Sequence, residues 1–148
     1  MPETVTVAAE AMATRFEVAL HGAPEAILRA AAEEALAEIT RLEGMLSLYQ
    51  PTSEIAQINT RGDREPVRVS PEVFSLLEHC VALGEQTEGC FDITLAPLMR
   101  CWRFMNDSGA VPSDAALAEA RALCGWPHLR LDPEHTTVQL ATEGAMLD

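Results

Sequence analysis

Between Pro24 and Leu46 the apolar residues Ile27, Ala31, Leu36, Ile39, Leu42 and Leu46 recur near helical spacing, and Glu33, Glu34, Glu38 and Glu43 occupy much of the complementary surface. A stripe of that period commits the segment to one amphipathic helix, whose apolar face must be buried against another element. His21-Gly22-Ala23 is a turn before it, and Pro24 suits a first helical position, where a missing N–H costs nothing. Upstream, Val5 to Val7 and Phe16 to Leu20 are alternating or continuous apolar runs and read as strands. Ser47-Leu48-Tyr49-Gln50-Pro51 ends the helix.

The remaining elements are short and mixed. Ser53 to Asn59 reads as a capped helix, and Val67-Arg68-Val69 as a short strand. Ser70-Pro71 pairs an N-cap with an N1 proline and opens a helix through Val73, Phe74, Leu77, Val81 and Leu83 to about Thr87. Pro97 to Phe104 predicts another helix, broken at Asn106-Asp107-Ser108-Gly109, and Ser113-Asp114 starts one over Ala115 to Leu123. Cys124-Gly125-Trp126-Pro127 stops it. Leu129-Arg130-Leu131 and Thr137 to Leu140 predict paired strands turned around Asp132-Pro133-Glu134, and Ala145-Met146-Leu147 predicts a further strand. Without strict βαβ alternation the fold class is α+β, a mixed or antiparallel sheet packed against helices.

Composition narrows the function classes. A chain of 148 residues, 48% hydrophobic and 22% charged, has enough apolar material for a real core. Its net charge of −13 argues against a nucleic-acid partner, which needs clustered basic residues. Every basic residue is arginine, and Arg61, Arg64 and Arg68 lie close together, around Gly62-Asp63. They read as a solvated loop or, alternatively, as a phosphate-docking cluster. No apolar run approaches the roughly 20 residues that span a bilayer. Met1 to Val5 lacks the basic and apolar regions of a secretion signal. The expected location is the cytoplasm, or the periplasm or a membrane anchor if a leader has been removed. Cys80, Cys90, Cys101 and Cys124 form no CxxC pair and read as reduced, half-buried thiols. The four histidines show no ligand spacing, and no acidic pair is spaced as a metal site would need.

The densest chemistry lies in Gly89-Cys90-Phe91-Asp92-Ile93-Thr94, with Pro97-Leu98 and Trp102 beyond it. Glycine permits a sharp turn or close ligand approach. An aromatic ring beside an acid can stack on a flat heterocycle and accept hydrogen bonds from its edge. Ordinary turn chemistry also uses Gly, Asp and Thr, so the cluster alone leaves both readings open.

Taken in order from about Ala11 to Asp148, several segments resemble the FAD:protein FMN transferases, the ApbE family. Ala11-Met12-Ala13-Thr14-Arg15-Phe16 is similar to the family's AMGTxF element, with Ala13 in place of glycine. Leu46 to Ile55 and Asn59 resemble its S-x-Y-x-P-x-S-E-I…N segment. Val69-Ser70-Pro71-Glu72, the Gly89 to Thr94 cluster (Cys90 standing for the usual alanine), Pro97-Leu98 and Trp102 follow in place. Met146-Leu147-Asp148 resembles the strand leading into the family's glycine-rich GGIAKG element.

The resemblance implies that FAD is the ligand and that Met12, Tyr49, Cys90, Phe91 and Asp92 touch it. Outside that context, Met12 and Tyr49 would read as core packing. It also implies transfer of FMN from FAD to a threonine of an acceptor flavoprotein, with release of AMP and a requirement for Mg²⁺. The family's metal ligands have no counterpart here, so residues 1–148 are expected to be the N-terminal portion of the transferase domain, incomplete relative to the full fold. No catalytic residue is assigned. A flavin-nucleotide-binding module without transferase activity, and a structural domain presenting an acidic surface, remain alternatives. An incomplete fold would leave Leu147 on an unpaired, apolar edge, and from this a homo-oligomer is expected.

Overall fold

The computed structural model describes residues 4–106 and 109–148. The chain divides into two compact units, Met1–Ser47 and Leu48–Asp148. As expected for an α+β protein, it combines helices with small antiparallel sheets.

In the first unit, β1 (Thr4–Ala11) and β2 (Thr14–His21) form an antiparallel hairpin that runs from Thr4 opposite His21 to Ala11 opposite Thr14. Both strands are longer than their apolar cores alone indicated. Helix α1 (Glu25–Leu46) packs on the hairpin, and Val5, Ala11, Leu28, Ala32 and Leu36 are buried. The buried face differs from the expected stripe. Leu28, Ala32 and Leu36 form a strict i,i+4 row, whereas Ile27 lies about 100° round the helix from Leu28 and is 61% exposed. Pro24 sits one residue earlier than expected, at the N-cap, where its carbonyl accepts from the Ile27 and Leu28 N–H groups.

The second unit is built on a three-stranded antiparallel sheet ordered β3 (Val67–Arg68), β5 (Thr137–Leu140), β4 (Leu129–Asp132). Asp132 shapes the β4–β5 turn by accepting from the Glu134 and His135 N–H groups through Oδ1. The His135 ring, 2.8 Å from Oδ2, holds the Asp132 carboxyl below its usual range.

Three helices of this unit open on the serines that their sequences announced. Ser53, Ser70 and Ser113 accept from the backbone N–H three residues on, at the starts of α2 (Glu54–Arg61), α3 (Pro71–Gln86) and α5 (Asp114–Ala122). Glu54 also accepts from the Ser70 N–H, tying the start of α3 to α2. The core gathers Ile55, Ile58, Val67, Val73, Leu77, Val138 and Leu140. Gly84 on α3 lets Trp126 lie against the helix, since a Cβ there would fall 2.9 Å from Trp126 Cδ1.

Two expectations need correction here. The helix foreseen from Pro97 to Phe104 is α4 (Ala96–Cys101) followed by a separate 3-10 turn, Phe104–Asn106. Arg103, at φ 58°, takes the chain into the left-handed region and ends the helix. The expected break from Asn106 to Gly109 lies partly outside the described residues. The strand foreseen at Ala145 to Leu147 does not form. Instead the Asn59 side chain acts as its hydrogen-bonding partner, Nδ2 donating to the Leu147 carbonyl (2.9 Å) and Oδ1 accepting from its N–H (2.8 Å). The Asp148 N–H donates to the Ile93 carbonyl (2.9 Å), and Met146 and Leu147 are buried. The exposed-edge argument for a homo-oligomer therefore falls away.

Candidate functional site

Met12 is one of two residues in the β1–β2 turn. Met12 (φ 51°) and Ala13 (φ 56°) are both left-handed, the geometry that a two-residue hairpin loop requires and that Asn-Gly normally supplies. The Met12 N–H donates to Glu43 Oε1 of α1 at 2.7 Å, and the Met12 side chain remains exposed. The hairpin and the helix thus fix a turn that presents a thioether to solvent.

The Gly89 to Thr94 cluster is built from the end of α3. Glu88 (φ 53°) and Gly89 (φ 83°) turn the chain, with the Gly89 N–H bonded to the Gly84 carbonyl and the Glu88 N–H to the Glu85 carbonyl. That pair of bonds is the Schellman closure, with glutamate at the left-handed position usually given to glycine. The Thr87 hydroxyl then accepts from the Phe91 N–H (3.0 Å) while donating to the Leu83 carbonyl (2.7 Å). Asp92 Oδ1 accepts from the Thr94 N–H (2.8 Å) and from its hydroxyl (2.6 Å). The same hydroxyl, fully buried, accepts from the Gly125 N–H (2.6 Å).

Turn chemistry accounts for the shape of this loop. Asp92, Thr87 and Thr94 hold its shape, and Cys90 and Phe91 are left exposed at its tip. One oxygen of Asp92 is engaged by the loop itself. Cys90 departs from the expected half-buried thiol because it sits beyond the helix end; Cys80, Cys101 and Cys124 are half-buried and, like Cys90, reduced. Burial pushes the Cys124 thiol up, and the Asp92 charge acts in the same direction.

Tyr49 is 66% exposed and lines a cavity of about 410 Å³ with Leu48, Arg100, Arg103, Met105 and Met146. The sequence pointed to Tyr49 but not to its neighbours, because the lining is assembled from three separated segments. Cys90, Phe91 and Asp92 belong to the same unit without lining this cavity. Trp102 stacks near-parallel on Phe104 two residues on, with ring centroids 6.0 Å apart. Arg61 and Arg64 pair with Glu65 and Asp63, as solvated surface residues do. Among the described residues no three His, Cys, Asp or Glu side chains gather into a metal-binding group, and no helix is long and apolar enough to cross a membrane.

The framework is shared with a solved ApbE structure. The ApbE protein of Thermotoga maritima MSB8 superposes with a TM-score of 0.89 at 25% identity, covering 99% of this chain and 47% of that one. The FAD:protein FMN transferase of Treponema pallidum (strain Nichols) is 34% identical over 131 residues, covering 84% of this chain and 36% of its own length. That of Vibrio cholerae serotype O1 is 32% identical over 101 residues, covering 64% of this chain and 30% of its own. Residues 12–148 match the model of the ApbE family, and the chain belongs to that family. It spans about a third of the length of these two curated relatives.

Proposed function

We propose that this chain supplies flavin-nucleotide contacts of an FAD:protein FMN transferase and is the N-terminal portion of that enzyme's domain. The reaction is attack by an acceptor threonine hydroxyl on the FMN phosphorus of FAD. A threonine Oγ–P bond forms, the pyrophosphate P–O bond breaks, the hydroxyl gives up its proton, and AMP leaves. The Mg²⁺ expected for such chemistry is assigned to no residue here, because among the described residues no three His, Cys, Asp or Glu side chains gather into one group. Met12, Tyr49, Cys90, Phe91 and Asp92 are the residues to which those contacts are assigned.

The observation that carries this reading is exposure. Met12, Tyr49 and Phe91, singled out by motif, stay among the exposed large apolar side chains at 44%, 66% and 38%. Core packing, the alternative for Met12 and Tyr49, would have hidden them. A ring or thioether held open by a hydrogen-bonded turn is suited to a flat heterocycle.

Fluorescence titration with FAD tests the reading. Each stacking contact is worth on the order of 1 kcal/mol, small beside the several kcal/mol of freedom lost by a flexible ligand, so weak binding is expected. Tyr49→Ala and Phe91→Ala should each weaken it about five-fold while leaving the thermal midpoint unchanged. Unaltered affinity in both variants would defeat the assignment. Incubation with an acceptor protein, FAD and Mg²⁺ should give no FMN adduct by mass spectrometry. Robust labelling would show that these 148 residues alone build a working site.

A further inference from the structure

The cavity beside Tyr49 carries an electrostatic signature at odds with the rest of the chain. Acidic residues outnumber basic ones 23 to 10, yet among the described residues no carboxylate lines this cavity, and two arginines do. Arg15, Arg29, Arg41, Arg61 and Arg64 are each paired with a glutamate or aspartate. Among the described residues Arg100 and Arg103, like Arg68, Arg121 and Arg130, make no such pair, and these two share the wall of one cavity. The two are one tight turn apart, the Arg103 N–H donating to the Arg100 carbonyl at 2.9 Å. Arg103 holds the left-handed backbone that side-chain-bearing residues rarely adopt, a strain that gathers at ligand sites. Leu48, Met105, Met146 and the Tyr49 ring complete the wall with apolar and aromatic surface.

We propose that Arg100 and Arg103 seat a phosphate of the flavin nucleotide, with a ring of the same ligand against Tyr49. Guanidinium groups donate forked hydrogen bonds that match phosphate oxygens, and both arginines reach solvent before binding. This deepens the reading given under Proposed function and rests on it.

The test uses the whole chain and three probes: inorganic pyrophosphate, FAD and riboflavin, which lacks phosphate. Pyrophosphate should shift the arginine Nε–Hε signals of Arg100 and Arg103 in ¹H–¹⁵N spectra, and added salt should suppress the shift. The double variant R100Q/R103Q should bind FAD about tenfold more weakly and riboflavin as before. R100K/R103K should recover part of the loss, since charge returns without the fork. Unmoved arginine signals with pyrophosphate, or equal FAD affinity in wild type and R100Q/R103Q, would overturn the phosphate seat. A response to an aspartate-containing peptide without one to pyrophosphate would overturn it too. If the wild type binds neither FAD nor riboflavin, the flavin reading fails instead, and the pyrophosphate titration still decides the seat.

Discussion

The Met12-Ala13 turn and the Glu88 to Thr94 loop both place two successive residues at positive φ, and they hold them by different means. In the hairpin no glycine is present, and one side chain, Glu43, reaches the turn backbone. In the loop a glycine takes the second position, and Thr87, Asp92 and Thr94 add side-chain hydrogen bonds to the helix-end bonds. The first turn owes its shape mainly to strand register; the second is over-determined by its own polar side chains. Exposed Cys90 and Phe91 thus ride on a locally rigid support, whereas Met12 rides on a strained one.

The sharpest way to break this contrast is Thr94→Val. Valine keeps the shape but removes a hydroxyl that donates to Asp92 and accepts from the Gly125 N–H in a fully buried position. Leaving those partners unsatisfied should cost about 3 kcal/mol, read as a lower denaturant midpoint. A loss below ~0.5 kcal/mol would mean that the loop is not held as described. Asn59→Ala should follow at about 2 kcal/mol, because both backbone groups of buried Leu147 lose their partner. Hydrogen exchange at the Leu147 amide should accelerate in that variant alone.

These two sites also show what a sequence conceals. The caps at Ser53, Ser70 and Ser113 were legible because capping is local, involving residues three apart. The β4–β5 hairpin was legible for the same reason. Asn59 is 88 positions from Leu147, and an amide side chain imitating a neighbouring strand leaves no periodic trace, so an apolar tripeptide read as a strand. The Met12-Ala13 turn lacked the Asn-Gly signal that marks two-residue hairpins. Motif order singled out Tyr49 and Phe91, but Arg100 and Arg103 became visible only when the fold brought separate segments around one cavity.

Ala13→Gly sharpens the comparison by relaxing its strained side. An L-residue in the left-handed region costs roughly 1 kcal/mol that glycine avoids, against a small entropic loss in the unfolded chain. The net expectation is a stabilisation of about 0.5–1 kcal/mol, seen as a rise in thermal midpoint. Gly89→Ala, the reverse exchange in the loop at φ 83°, should destabilise by a similar amount. Destabilisation by Ala13→Gly would show that the hairpin is not under strain.

The smallest effect is expected from Glu43→Gln. Glutamine retains an acceptor for the Met12 N–H and loses only the charge assistance, in a contact open to solvent. Solvent screening limits the change to about 0.5 kcal/mol. Its value lies in coupling. If the carboxylate holds the left-handed Met12, then Glu43→Gln should cost less in an Ala13→Gly background, where the turn adopts its geometry without help. A double-mutant cycle measures that difference directly. A coupling indistinguishable from zero would mean that the hairpin register alone sets the turn and that Glu43 merely caps an amide already in place.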